Sequence, residues 1–273
     1  MKKQFLFLFG SVAVLGAVLL STFLPQTFAF GQHPERRGMK DRRAQFAQEL
    51  NLTDAQKSEM KTLMAREHQA VKPIFQQLSQ FQDQIRDVNA DGQFHEAEVR
   101  ALAEQQAKLM TSLQLRHTET RSQMQKILTA EQLEKAESLR PNFDRGFGPM
   151  PFMGAHHREE RMARVLGLTP EQEAKIQTNL EADRPVVSNL VQQLHTQNQQ
   201  LKTLTATGTA DQTQINALLD QQTQTMTDLI VQRERTRLKN DAILTPEQRA
   251  TAEALHDRMK MMMGERFGRH SAE

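Results

Sequence analysis

The side chains in this 273-residue chain that could hold or activate a ligand are methionine, histidine and the acids, since cysteine is absent. His156 and His157 follow Met150 and Met153, and Met259, Met261, Met262 and Met263 precede His270. Thioether and imidazole ligands suit copper or zinc. The spacing points the other way. Adjacent histidines do not share a helix face, and no two of the nine histidines stand four apart. These clusters therefore read first as a solvated linker and tail, with copper or zinc binding as the alternative. Catalysis lacks its apparatus: there is no Gly-x-Ser-x-Gly elbow, no phosphate loop and no His-Glu-x-x-His. Acids such as Glu119, Glu131 and Glu137 fit exposed helix faces. The chain reads as a non-enzyme with no cofactor and no committed metal site.

The strongest pattern is structural. Leu52-Thr53-Asp54-Ala55-Gln56 returns at Leu128-Thr129, Leu168-Thr169 and Leu244-Thr245, ending each time in Gln132, Gln172 or Gln248. Leu-Thr-x-x-Gln is a helix start. The N-cap threonine (Thr53, Thr129, Thr169, Thr245) accepts a bond from the N–H three residues on, and the glutamine there reaches back to the N-cap N–H. Pro170 and Pro246 fall at the first helical position, where a missing N–H costs nothing. Glu131, Glu171 and Glu247 sit in the first turn, where the helix dipole favours an acid.

The spacing of the four boxes carries the most information. Both 128 − 52 and 244 − 168 give 76, and both 168 − 52 and 244 − 128 give 116. One unit is written twice. Val71, Gly92, Met110, Leu113 and Arg121 find their counterparts at Val187, Gly208, Met226, Leu229 and Arg237.

Each unit reads as helices. Val71, Ile74, Leu78, Phe81, Ile85 and Val88 recur at steps of 3 and 4, a seam for lengthwise packing. Asn89-Ala90-Asp91-Gly92 is a turn by residue type. A second long helix is expected over about 96–126, marked by Val99, Leu102, Met110, Leu113, Met124 and Ile127. Two long helices and a tight turn make an antiparallel hairpin. Pro73 and Pro185 predict a kink or short break in the first long helix of each unit. A short helix is expected over about 41–50, another from Thr129 to about Leu139 with Pro141 as its stop, and a last one from Thr245 to about Met263. The second seam reads Val187, Leu190, Leu194, Leu201 and Leu204. The fold class is all-α, as the richness in helix formers also suggests.

The boundaries follow from composition. Residues 1–29 read as a signal peptide, with Lys2-Lys3, an apolar run from Phe5 to Leu24, and a Thr27-x-Ala29 cleavage site. The first unit spans 30–140, a Gly-, Pro- and Met-rich linker 141–158, the second unit 159–263 and a flexible tail 264–273. Loss of Lys2 and Lys3 brings Lys+Arg from 35 to 33, equal to the 33 Asp+Glu. A neutral chain without Trp or Tyr lacks the field and the stacking surfaces of a nucleic-acid binder. An exported chain without cysteine fits a bacterial periplasm.

The segments 50–57 and 243–248, with box, kink, hairpin turn and second box in order, resemble the Spy/CpxP family of small periplasmic helical proteins. The resemblance covers nearly the whole mature chain, once per repeat. It implies an ATP-independent chaperone for unfolded periplasmic or outer-membrane proteins; CpxP-like members also restrain a sensor kinase, and some relatives resemble metal-responsive proteins. It further implies client contact at Leu50, Leu52, Met60, Lys61 and Met64, and at Leu166, Leu168, Ile176 and Leu180 in the second repeat. Gln177 stands where Lys61 stood, which weakens the electrostatic attraction expected there. Family members are usually single units that pair into a homodimer. Here two units share a chain, so either the halves pack on each other as an intramolecular pseudo-dimer, or each pairs with another molecule.

Overall fold

The computed structural model describes residues 47–147, 162–206 and 211–268. The expected signal peptide, the first residues of the first unit and most of the linker lie outside the described residues. So do the start of the short helix before the first box, and His156, His157 and His270.

The described chain is helical throughout. Six long helices follow in order: α1 (Asp54–Val88), α2 (Glu96–Ile127), α3 (Ala130–Phe147), α4 (Pro170–Ala206), α5 (Gln212–Asp241) and α6 (Pro246–Gly268). Helical turns at 47–49 and 162–166 lead into the first box of each unit. Among the described residues no strand occurs, and no helix is long and apolar enough to cross a membrane.

Of the kink or short break expected at Pro73 and Pro185, the break is corrected: α1 runs unbroken through Pro73 and α4 through Pro185. α3 likewise passes Pro141 and ends at Phe147, inside the expected linker, and α6 extends to Gly268, past the expected start of the tail at 264. A proline in a helix costs about 3 kcal/mol through one lost bond and a clash with the preceding turn. In α1 the packed residues on either side, Leu63 and Leu78 among them, hold the helix together across that fault.

α1 and α2 form one hairpin, α4 and α5 the other, and the hairpins join where α2 lies along α5. The helices of this seam run antiparallel. Glu96 meets Arg235, Arg100 meets Asp228, and Thr111 meets Thr223, so numbers rise along α2 as they fall along α5. The shared core holds Leu78, Ala107 and Leu113 from one half with Val187, Leu194, Met226 and Leu229 from the other. A second cluster sets Val231 of α5 against Ile85, Val99 and Ala103. The halves thus pack on each other within one chain.

Close approach at the seam depends on small residues. Ala103 and Ala107 are fully buried where larger side chains would hold the helices apart. The α5 side is unexpectedly polar: Gln222, Thr223, Thr225, Thr227, Gln232, Glu234 and Thr236 are all buried. Most of the threonines solve their own desolvation. Thr223, Thr225 and Thr227 each donate their hydroxyl to the carbonyl four residues back, at 2.8 to 2.9 Å. A hydroxyl bonded within its own helix presents mainly its methyl group to the neighbour.

Candidate functional site

Each unit begins with the same piece of backbone. The helical turn before the first box ends in a left-handed residue, Asn51 (φ 50°) in one unit and Gly167 (φ 60°) in the other. Leu52 N–H bonds Ala47 O at 3.1 Å while Asn51 N–H bonds Gln48 O at 3.0 Å. Leu168 to Ala163 and Gly167 to Arg164 repeat the pair at 3.0 and 3.3 Å. This is the Schellman ending, which needs a residue tolerant of positive φ; Gly and Asn are the two that supply it at low cost.

All four boxes then form as capping boxes. The threonine backbone N–H donates to the glutamine Oε1 at 3.0, 3.0, 3.0 and 2.9 Å for Thr53, Thr129, Thr169 and Thr245. The glutamine backbone N–H returns to the threonine hydroxyl at 3.2 to 3.3 Å. The carboxyls of Glu171 and Glu247 are held below the ordinary carboxylate range by their own backbone N–H and by the Thr169 and Thr245 hydroxyls.

The glutamines do more than cap. Gln56 Nε2 donates to Ile127 O at 2.9 Å and to Gln132 Oε1 at 2.7 Å, and Gln132 Nε2 donates to Leu50 O at 3.1 Å and back to Gln56 Oε1 at 3.2 Å. In the second unit Gln172 reaches Ile243 O at 3.0 Å and Gln248 at 2.8 Å, and Gln248 reaches Gly167 O at 3.1 Å. The paired amides clasp the two boxes of a unit across 76 residues. Sequence reasoning saw four caps and the 76-residue interval but not the contact between them. The interval was the available signal, because hairpins of equal length bring the same two positions together at their base in both units.

The residues expected to meet clients fall around these clasps and divide by burial. Lys61 is exposed, and Leu52, Met60, Met64, Leu166 and Leu168 are half-buried. Leu50, Ile176 and Leu180 are buried at 2, 3 and 4% exposure. As placed, these three serve the core: Ile176 and Leu180 pack with Leu168, Ile243 and Leu244 into a satellite cluster under the second clasp. A client could touch them only after that cluster opens.

Basic charge in the second repeat lies where spacing gave no hint of it. Lys175 and Lys239 flank Ile243, Thr178 and Asn179 around an open groove of about 400 Å³. Their counterparts in the first unit are Glu59 and Gln123. Lys239 also donates to Asp183 at 3.1 Å, and Asp183 accepts from the Thr236 hydroxyl at 2.6 Å, so this buried carboxylate is held on two sides. The equivalent acid in the first unit, Glu67, instead takes a two-pronged bond from Arg116 at 2.9 and 3.1 Å. Beside it, burial pushes the His117 imidazole below its ordinary range; Arg121 adds to that shift and Glu67 opposes it.

Among the described residues no group of three or more histidines or acids is placed to hold a metal ion. Met261 is 66% exposed on α6. The remaining methionines and histidines of the copper or zinc alternative lie outside the described residues, or have side chains that are not described.

The arrangement defines a class: a duplicated helical hairpin, each copy closed at its base by two capping boxes clasped through their glutamines. The chain belongs to the LTXXQ motif family, whose model matches residues 38–140 and again 154–256. This is the family of Spy and CpxP, here in tandem duplication, and its members are in general periplasmic and non-enzymatic. The chain matches no curated protein sequence and no solved structure.

Proposed function

We propose that the chain is exported to the periplasm by residues 1–29 acting as a cleavable signal peptide, and that the mature chain there binds unfolded or misfolded proteins without nucleotide, suppressing their aggregation during envelope stress. The observation that carries this reading is the first turns of α1, where half-buried Met60 and Met64 flank exposed Lys61 beside the first clasp. Methionine is unbranched and polarizable, so it adapts its contact to many partner surfaces. A neighbouring ammonium attracts acidic segments at longer range, and apolar contact then holds them. In the second repeat exposed Lys175 supplies the charge, beside Lys239, which is paired with Asp183. Family membership supports a Spy/CpxP-type role, and the same surface would also serve a CpxP-like adaptor that binds one sensor kinase.

Light scattering from a chemically denatured test protein, diluted with and without the full mature chain and with no nucleotide, tests the proposal. Scattering should fall in proportion to added chain and level off near equimolar. Undiminished scattering at a several-fold excess would reject the chaperone reading. Selective capture of one sensor kinase without any effect on scattering would favour the adaptor.

A further inference from the structure

The α2–α5 seam is not symmetric, although the two halves are repeats. At one end it is fastened by charge. Arg235 donates to Glu96 at 2.8 Å and lies over the Phe94 ring at 5.1 Å. Arg100 donates to Asp228 at 2.6 Å. Asn89, buried in the hairpin turn, donates to buried Glu234 at 3.1 Å. The middle is joined by the Thr111 and Thr223 hydroxyls at 3.2 Å.

The repeat offset of 116 says what the other end carries and what each half would meet if paired with its own kind. Arg235 corresponds to Glu119, Asp228 to Ser112 and Glu234 to Thr118. Two first units in the same antiparallel geometry would set Glu96 against Glu119 at both ends and leave Arg100 facing Ser112. Glu96, Arg100 and Asn89 correspond in turn to Gln212, Asn216 and Thr205. Two second units would set Arg235 against Gln212 and Asp228 against Asn216, with no opposite charge at either end. Like charges across an interface reject a partner as firmly as opposite charges choose one.

We propose that this seam is a recognition surface for the unlike half: the first unit's α2 face takes a second unit and rejects another first unit. Duplication has therefore done more than tie a symmetric dimer together. The charges have diverged so that the halves are complementary to each other and not to themselves. The rule holds whether the partner half belongs to the same chain or is exchanged between two chains.

The absence of cysteine gives a clean background for the test on the full chain. In K108C/Q224C, two exposed positions level with each other across the seam that leave all of its charges in place, a short bismaleimide should link the two cysteines readily. In K108C alone, only two first units paired in the same antiparallel geometry would bring two thiols level with each other. No covalent dimer is expected from that variant. Dimers forming from K108C as fast as linkage in K108C/Q224C, or no linkage in either, would overturn the proposal. Charge reversal adds a second reading. E96R and R235E alone should each raise the unfolding equilibrium constant about two- to five-fold, as for a partly exposed pair, and the double swap should restore it. A double variant no better than the sum of the singles would also count against it.

Discussion

The clasp makes a quantitative prediction for Gln56→Ala. The substitution removes the acceptor of the Thr53 N–H at 3.0 Å, which is half of a capping box. It also removes the Nε2 bonds to Ile127 O at 2.9 Å and Gln132 Oε1 at 2.7 Å. Loss of a capping interaction costs about 1 kcal/mol. Each part-buried hydrogen bond between neutral groups contributes about 1 kcal/mol net, and a deserted partner adds its own desolvation. Gln132 keeps its bond to Leu50 O, which limits that last cost. The sum is about 2–3 kcal/mol. Thr53→Ala disturbs the cap and leaves the clasp, so it should cost about 1 kcal/mol. Gln132→Ala should resemble Gln56→Ala, and the double variant should cost clearly less than the two singles together, because the amides share their bonds. Urea denaturation followed by circular dichroism measures all four. A Gln56→Ala effect no larger than that of Thr53→Ala, or simple additivity with Gln132→Ala, would refute the clasp and leave four independent caps.

Asp183→Asn should destabilise the second unit by about 1–3 kcal/mol, since it weakens the charged bond to Lys239 and disturbs the one from Thr236; denaturation of the variant beside Glu67→Gln compares the two equivalent acids. His117 predicts a pH dependence. Its folded-state pKa lies below the unfolded one because burial disfavours the imidazolium, so the unfolded chain binds the extra proton first. Its contribution is fully present above about pH 6.5 and is lost as pH falls from there through the depressed folded value. His117→Gln should flatten the stability curve across that window when melting is followed from pH 7.5 to 5. At the proposed client surface, Lys61→Glu and Met60→Ser should each weaken aggregation suppression several-fold while moving the denaturation midpoint little. Lys61 is exposed and Met60 only half-buried. Equal loss of stability and suppression would place those residues in the core instead.

The all-helical fold was legible because its signals were local and repeated. Thr53 and Gln56 fix a helix start whatever surrounds them, and the seam at Leu78 and Ile85 declares its buried face by period alone. The duplication was legible from the offset of 116. Four features were hidden for physical reasons. The continuity of the helices through the prolines at 73, 141 and 185 was hidden, because local cost was visible and the packing that outweighs it was not. The burial of Thr223, Thr225 and Thr227 had no signal, because their hydroxyls are satisfied inside their own helix and a sequence does not show that. The burial of Leu50, Ile176 and Leu180 was also out of reach, since a leucine beside a box packs inward or outward according to its partner helix. The lysines at the groove, Lys175 and Lys239, are brought together by the tertiary fold alone.

Direct titration of the full mature chain into a fluorescently labelled, permanently unfolded test polypeptide, without nucleotide, bears most directly on the function proposed for this fold. Anisotropy should rise to saturation, weaken as salt is added, and fall back when the same polypeptide is replaced by its folded form. A flat titration at concentrations well above those that suppress scattering, or equal binding to the folded form, would contradict a surface that grips unfolded chains.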